Sequence, residues 1–398
     1  MLLSLLNSYL IYILKIVLSI IPKEDNLILF SAWFGQKYAD NCRFQYEYML
    51  DKGIGNVYWY TRNIEIYRGL KAKNMPVVYS KSIKGFWKQL RAKILVSSVQ
   101  FADFNNYLLT NCIYFDLDHG FALKQIAFAQ PDSDKKWCDR QMLLRKHIDY
   151  YMTGSSEFCK DKIHECYRIA PNKIAFCNKP RIDVFFDKRM QRGINEYVDE
   201  IKNGRKAIIW MPTHRSCGNV PIDTKKIFNL DFIQALCEKN NCVFIIKKHF
   251  YHQNEEIDTR CYPNIFDLSS CDNIDSQVLL SQADVLISDY SSCYIDYLVL
   301  DRPILLYAYD YDDFVKHERG LYVPFSNNGA GQFIKTSKEL DKALERICLD
   351  WYDSEYAPGR KKARLRYFDE SLIMGEARLQ VANILKELLS GVYKSKWQ

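Results

Sequence analysis

Short apolar runs alternate along this chain with longer stretches whose apolar residues recur every three or four positions. The runs at 27–30, 57–60, 77–79, 94–97, 113–117 and 151–153 are rich in Val, Ile, Leu and aromatics and read as strands. Between them lie helical stretches, one of which ends over 46–52. A second series has strands at 207–210, 243–247, 285–288 and 303–307 and helices at 231–239 and 291–300. The polar, charged stretch 191–205, with two glycines, reads as a linker between the series, and 376–389 has helical periodicity. No internal repeat or low-complexity tract interrupts the pattern.

Strand–helix alternation of this kind implies parallel sheets covered by helices on both faces. Two such series predict an α/β chain of the GT-B type, with two doubly wound, Rossmann-like domains facing a central cleft. The expected boundaries are 1–22 for a membrane-associated helix, 23–195 for an acceptor domain and 196–370 for a nucleotide-donor domain, with 371–398 forming a helix that packs back across the domains.

Residues 1–22 are strongly apolar, but Ser4, Asn7, Ser8, Tyr12, Lys15 and Ser19 recur at three- and four-residue steps. On a helix they form one polar stripe, which suits a segment lying in a membrane interface better than one crossing it. A docking helix of the first domain is the alternative. No Lys or Arg precedes Lys15, which argues against a secretory signal. The basic run 360–366 (RKKARLR) is either a lipid-headgroup contact or a solvated helix face.

Composition narrows the function. The net charge of +7 suits an anionic substrate or membrane surface and is too dispersed to imply nucleic acid. Thirteen cysteines without a C-x-x-C pair argue against a disulfide framework and a structural zinc site. No H-E-x-x-H, Walker loop or G-x-S-x-G elbow is present. We therefore expect no tightly bound cofactor and no metal ligand set; a divalent cation would have to arrive without a recognisable motif.

In parallel sheets ligands gather outside the carboxyl ends of the strands, so the residues there carry the candidate chemistry. His119 and Gly120 follow one strand, with Lys124 close behind. Histidine there could deprotonate a hydroxyl, although a lone His-Gly is more often structural. Pro212, Thr213, His214 and Arg215 end a second strand, and Lys247, Lys248 and His249 a third. Arg215 could pair bidentately with phosphate, whereas the basic triplet in isolation reads as a solvated strand end. Asp289, Ser291 and Ser292 follow a fourth strand, with Asp296 and Asp310 beyond. Serines at a helix start either cap it or receive an anion. Arg181 and Asp183 lie in a further turn, N-K-P-R-I-D.

Taken in chain order, these motifs resemble the CDP-glycerol glycerophosphotransferases of teichoic-acid and related capsule synthesis, in the manner of a single-catalytic-unit priming enzyme. The matching residues are Ser31, Gly35, Tyr38, Asp40 and Asn41; His119, Gly120 and Lys124; Pro180, Arg181 and Asp183; Pro212, Thr213 and Arg215; Lys247 and His249; Asp289 to Ser292 with Asp296; and Tyr307, Asp310, Arg319 and Gly320. Asp118, Asn178 and Phe250 stand where the family usually has Trp, Gly and Pro.

The resemblance implies a peripheral enzyme on the cytoplasmic face of the membrane. It would move glycerol phosphate from CDP-glycerol, or ribitol phosphate from CDP-ribitol, to an undecaprenyl-linked saccharide and release CMP. It assigns catalysis to His119, as general base, and His249. Arg215, His249, Ser291 and Ser292 would hold the pyrophosphate with Lys247 and Arg181, while Asp289 and Asp296 orient the site. A nucleotide-sugar glycosyltransferase and an inactive adaptor binding anionic polymer are the competing readings.

Overall fold

The computed structural model describes residues 16–397, except 122, 131–132, 146–147, 192–195, 216–220, 250–251, 253–256, 272–273 and 319. Most of the expected N-terminal helix, together with Arg319 and Phe250, therefore lies outside the described residues. Two compact units emerge. The first comprises the described parts of Met1–His119, Ser133–Asp183 and Glu376–Gln398; the second comprises those of Gly120–Asp132 and Val184–Gly375.

The first unit holds seven strands: β1 (Glu24–Phe30), β2 (Asn56–Thr61), β3 (Val77–Tyr79), β4 (Ala92–Ser97), β5 (Ile113–Asp116), β6 (Tyr150–Met152) and β7 (Ile174–Ala175). They form one sheet in the order β3-β2-β1-β4-β5-β6-β7, every pair parallel. Leu27 to Phe30 and Ile94 to Val96 are fully buried, as expected of central strands covered on both faces.

Helix Asp40–Asp51 places Cys42, Tyr46 and Met49 in the core of this unit, together with Val381, Ala382, Leu385 and Leu388 of helix Ala377–Ser390. Asp183 holds the start of that C-terminal helix. It accepts the backbone N–H groups of Ala377 and Arg378 at 2.9 Å each and pairs with the Arg378 Nε at 2.9 Å. Burial nevertheless pushes the Asp183 pKa up, outweighing these bonds.

The second unit holds β8 (Lys206–Met211), β9 (Cys242–Ile246), β10 (Ile265–Asp267), β11 (Val285–Ser288), β12 (Ile304–Tyr307) and β13 (Gln332–Ile334). Their order is β10-β9-β8-β11-β12-β13, again all parallel. Each sheet starts with a strand that has its sequence successor on one side and a later strand on the other. The strand order thus reverses between β1 and β4, and again between β8 and β11. At such a switch point neighbouring connections leave in opposite directions and open a crevice at the strand ends.

Three expectations need correcting. The stretch 191–205 is not a plain linker: it contains helix Glu196–Lys202, which buries Val198 and Ile201 at an i, i+3 spacing. The helix expected over 291–300 is α-helical only from Cys293 to Tyr297 and then tightens into a 3₁₀ turn, Leu298–Leu300. The basic run 360–366 lies on helix Ala357–Tyr367, but Arg360 is fully buried there. Its guanidinium bonds the Tyr352 and Asp353 carbonyls and pairs with Asp301 at 3.3 Å. Among the described residues no helix is long and apolar enough to cross a membrane.

Candidate functional site

The carboxyl end of the first sheet presents His119 at its switch point. β1 runs into Ser31, Ala32 and Trp33, and β4 into Ser98. The His119 Nδ1 lies 3.1 Å from the Ser98 carbonyl oxygen, and its ring centroid lies 5.2 Å from that of Trp33. A carbonyl can only accept, so Nδ1 donates in this contact, and in the neutral ring the lone pair is then on Nε2. The side chain is 45% exposed, so this nitrogen can meet a substrate.

A set of buried groups shapes the histidine loop. Asp118 adopts the left-handed region at φ 52, a conformation aspartate tolerates through local hydrogen bonds. Its backbone N–H bonds Asp116 Oδ1 at 2.7 Å, and its own carboxylate accepts the His119 N–H at 2.7 Å. Asn41 Nδ2 donates to the Leu117 and Asp118 carbonyls at 3.1 and 2.9 Å. Arg181, 5% exposed, donates from Nη1 to the His119 carbonyl at 2.5 Å and to Asp40 at 2.9 Å. In this unit Arg181 therefore grips the backbone of the histidine loop.

The second sheet builds its own cluster where β8, β11 and β12 end. Asp289 accepts the Thr213 N–H at 2.7 Å and Arg215 Nη2 at 2.9 Å. Asp310 accepts Arg215 Nε at 2.5 Å, Nη2 at 3.1 Å and the Tyr290 hydroxyl at 2.9 Å. Arg215 Nη1 donates to the Thr213 carbonyl at 2.7 Å, and its backbone N–H bonds the buried His252 Nε2 at 3.2 Å. Burial works against the guanidinium charge, but Asp289 and Asp310 outweigh it and raise the Arg215 pKa. Tyr290 stacks on Phe314 at 3.6 Å and 9°; burial and the Asp310 charge push its pKa up, so it remains a donor.

The remaining predicted residues separate into two groups. Ser291 and Ser292 follow this cluster and are half-buried. Ser291 Oγ accepts the Cys293 N–H at 3.4 Å, whereas Ser292 makes no capping bond. A Cβ at Gly120, which belongs to this unit, would lie 3.3 Å from the Ser292 Oγ. The His249 ring lies 4.8 Å from that of His214.

Lys247 and Asp296 point elsewhere. Lys247 Nζ donates to the Leu268 and Cys271 carbonyls at 2.9 and 2.8 Å. Asp296 is fully buried and accepts from Gln277 Nε2 at 3.3 Å. Among the described residues no group of three or more His, Cys, Asp or Glu side chains is arranged to hold a metal ion. Sequence reasoning marked Asp118 only as a departure from the family pattern and did not single out Trp33, Ser98 or His252. Trp33 and Ser98 could have been found only by knowing which strand ends meet.

Two parallel sheets, each with polar and charged groups at its strand ends, are of the GT-B type. Residues 13–384 match the family model for CDP-glycerol:poly(glycerophosphate) glycerophosphotransferase, and the chain belongs to that family of cell-wall transferases.

Among curated relatives it is 26% identical to the teichoic acid glycerol-phosphate transferase of Staphylococcus aureus over 363 residues, covering 86% of this chain and 89% of the relative. It is 27% identical to the teichoic acid ribitol-phosphate primase of Bacillus spizizenii over 263 residues, 63% of each. Among solved structures, the wall teichoic acid polymerase TagF shares the fold with a TM-score of 0.73 at 23% identity, over 93% of this chain and 90% of that one.

Proposed function

We propose that the chain transfers an alditol phosphate, glycerol phosphate first, from its CDP derivative to a hydroxyl of an undecaprenyl-linked saccharide at the cytoplasmic face of the membrane. The observation that carries this reading is the 3.1 Å contact of His119 Nδ1 with the Ser98 carbonyl. With Nδ1 held on the Ser98 carbonyl, Nε2 is free to take a proton. The acceptor oxygen attacks the alditol-bearing phosphorus as its proton passes to Nε2. The bond from that phosphorus to the bridging oxygen breaks, and CMP leaves with that oxygen. Ser291 and Ser292, half-buried at the start of helix Cys293–Tyr297, would receive the donor phosphate.

His249 completes the catalytic pair, contacting the pyrophosphate beside His214. Arg215, Asp289 and Asp310 set the shape of the donor loops, because the arginine fork is already engaged by the two carboxylates. Arg181 acts through the carbonyl of His119, and Lys247 and Asp296 act from beneath the donor loops. The names of the relatives support teichoic-acid chemistry with glycerol or ribitol as the alditol, and we expect one or a few units to be added.

Purified protein given CDP-glycerol, CDP-ribitol or nucleotide sugars, with a lipid-linked disaccharide acceptor, tests the proposal. CMP release coupled to phosphodiester formation, and a short product ladder, is expected. Release of a nucleoside diphosphate with sugar transfer would replace the proposal with glycosyl transfer.

A further inference from the structure

The carboxyl end of the first sheet carries a second group of side chains, away from His119. Tyr60 and Arg62, at the end of β2, and Ser80 and Lys81, just past β3, line a cavity of about 500 Å³. The connection from β4 to β5 adds Phe104, Asn105 and Tyr107 to its lining. A space of this size suits a small ligand. Its two cations are not neutralised. Half-buried Arg62 donates from Nη2 to the Phe104 carbonyl at 2.7 Å and from Nη1 to the Phe34 carbonyl at 3.4 Å. Carbonyls orient a guanidinium without cancelling its charge. Among the described residues neither Arg62 nor Lys81 lies in an ion pair, and no carboxylate lines the cavity.

The rest of the lining is aromatic and polar. The Tyr60 and Phe104 rings are buried 5.2 Å apart, while Tyr107 is 51% exposed. Burial raises the Tyr60 pKa against the pull of the Arg62 charge, so its hydroxyl keeps its proton and can donate. Asn105 is fixed by Gln89, which donates to its carbonyl at 2.8 Å and accepts its N–H at 3.2 Å. The Asn105 Oδ1 in turn accepts the Tyr107 N–H at 3.1 Å. An apolar ring edged by hydroxyl and amide groups fits a sugar, whose C–H faces are apolar and whose rim is hydroxylated. The unneutralised cations call for phosphate. The cavity is also joined to the seat of His119. Asp103, the residue before Phe104, accepts the N–H groups of Phe34 and Ser98 at 2.6 and 2.7 Å.

We propose that this cavity binds the phosphate-bearing end of the acceptor, a glycosyl phosphate, with Tyr107 against the sugar ring and Arg62 and Lys81 on the phosphate. The inference rests on the proposed transfer to a lipid-linked saccharide, and it assigns that acceptor a place in the first unit. The strand order β3-β2-β1-β4 sets the cavity about two strand spacings, roughly 10 Å, along the sheet edge from the switch point that presents His119. A saccharide with its phosphate in the cavity can extend its far hydroxyl along that edge toward Nε2. A nucleotide is disfavoured here, because under the same reading the donor belongs at Ser291 and Ser292 of the second unit.

The test is titration calorimetry of the full chain with glucose 1-phosphate in the absence of donor, with free glucose, inorganic phosphate and CMP titrated alongside. Glucose 1-phosphate should bind saturably, and more tightly than glucose or phosphate alone. Lys81→Gln should weaken it about tenfold, and Tyr107→Ala by a similar factor. Both side chains are exposed, so the variants should fold as wild type does. With donor present, the same variants should raise the KM for a lipid-linked acceptor and leave donor affinity unchanged. Absence of CMP release from wild type would sink the proposed reaction and leave the binding result standing. No saturable binding by wild type, or wild-type affinity in both variants, would overturn the site. Inorganic phosphate binding as tightly as glucose 1-phosphate would overturn the saccharide. CMP binding that is lost in the same variants would reassign the cavity to a nucleotide.

Discussion

Replacing Arg215 by methionine tests how the second unit holds its strand-end loops. The guanidinium is 5% exposed and bonded to Asp289, Asp310 and the Thr213 carbonyl, with its centre 4.9 Å from the Tyr290 ring. Methionine keeps much of the apolar stem contact but removes every one of those bonds. Asp310, whose side chain is 24% exposed, retains water and the Tyr290 hydroxyl. Asp289, with a side-chain exposure of 1%, retains only the Thr213 N–H among the bonds described above, so its buried charge is stranded.

Breaking such a pair on one side costs about 3–5 kcal/mol. For a unit of this size each kcal/mol corresponds to roughly 2–4 °C, so the unit's melting transition should fall by about 6–20 °C. Scanning calorimetry at neutral pH reads it directly. Asp289→Asn added to the methionine variant removes the stranded charge, and it should recover about 1–3 kcal/mol as coupling energy. A single variant melting within about a degree of wild type, where the mechanism requires several, would refute the reasoning. So would a double variant whose losses simply add.

Other outcomes follow from the first unit. Asp183→Ala removes the acceptor for the first N–H groups of helix Ala377–Ser390 and should destabilise the unit by about 1–3 kcal/mol. Faster amide exchange at the start of that helix checks it, and unchanged exchange counts against the cap. Asp116 is fully buried, and its Oδ2 has no hydrogen-bond partner among the described residues. Burial first, and the Asp118 charge second, push its pKa well above the ordinary carboxylate value. The folded state therefore holds this proton more tightly than the unfolded chain, and stability falls as pH rises from about 4 through the raised value. Asp116→Asn keeps the acceptor for the Asp118 N–H and loses that slope. Its melting temperature should gain on wild type as pH rises from about 4 to 8; parallel curves would contradict the assignment.

The central strands were legible because burial on both faces makes them unbroken apolar runs: 285–288 coincides with β11, and 27–30 lies within β1. Of the strands with only two or three residues, β3 and β6 were read and β7, β10 and β13 were passed over. Helix Glu196–Lys202 was hidden by its charge, since only Val198 and Ile201 turn inward.

At the site, candidate positions could be read from residue type and strand ends, but partners could not. Arg215 and Asp310 are 95 positions apart and meet only because β8, β11 and β12 are neighbours in the sheet. The phosphate role expected of Arg215 came from its fork geometry alone; the carboxylates that occupy the fork are a property of the fold. Likewise, nothing in the local sequence around His119 says that Ser98 lies behind its ring and chooses its tautomer.

The most direct test of the account is CMP release by His119→Gln under saturating CDP-glycerol and acceptor, measured beside donor affinity by calorimetry. Glutamine can still bond the Ser98 carbonyl but offers no base. Turnover should fall by about 10²–10⁴-fold with donor affinity unchanged. Turnover at the wild-type rate would contradict the role given to Nε2, and with it the proposed reaction.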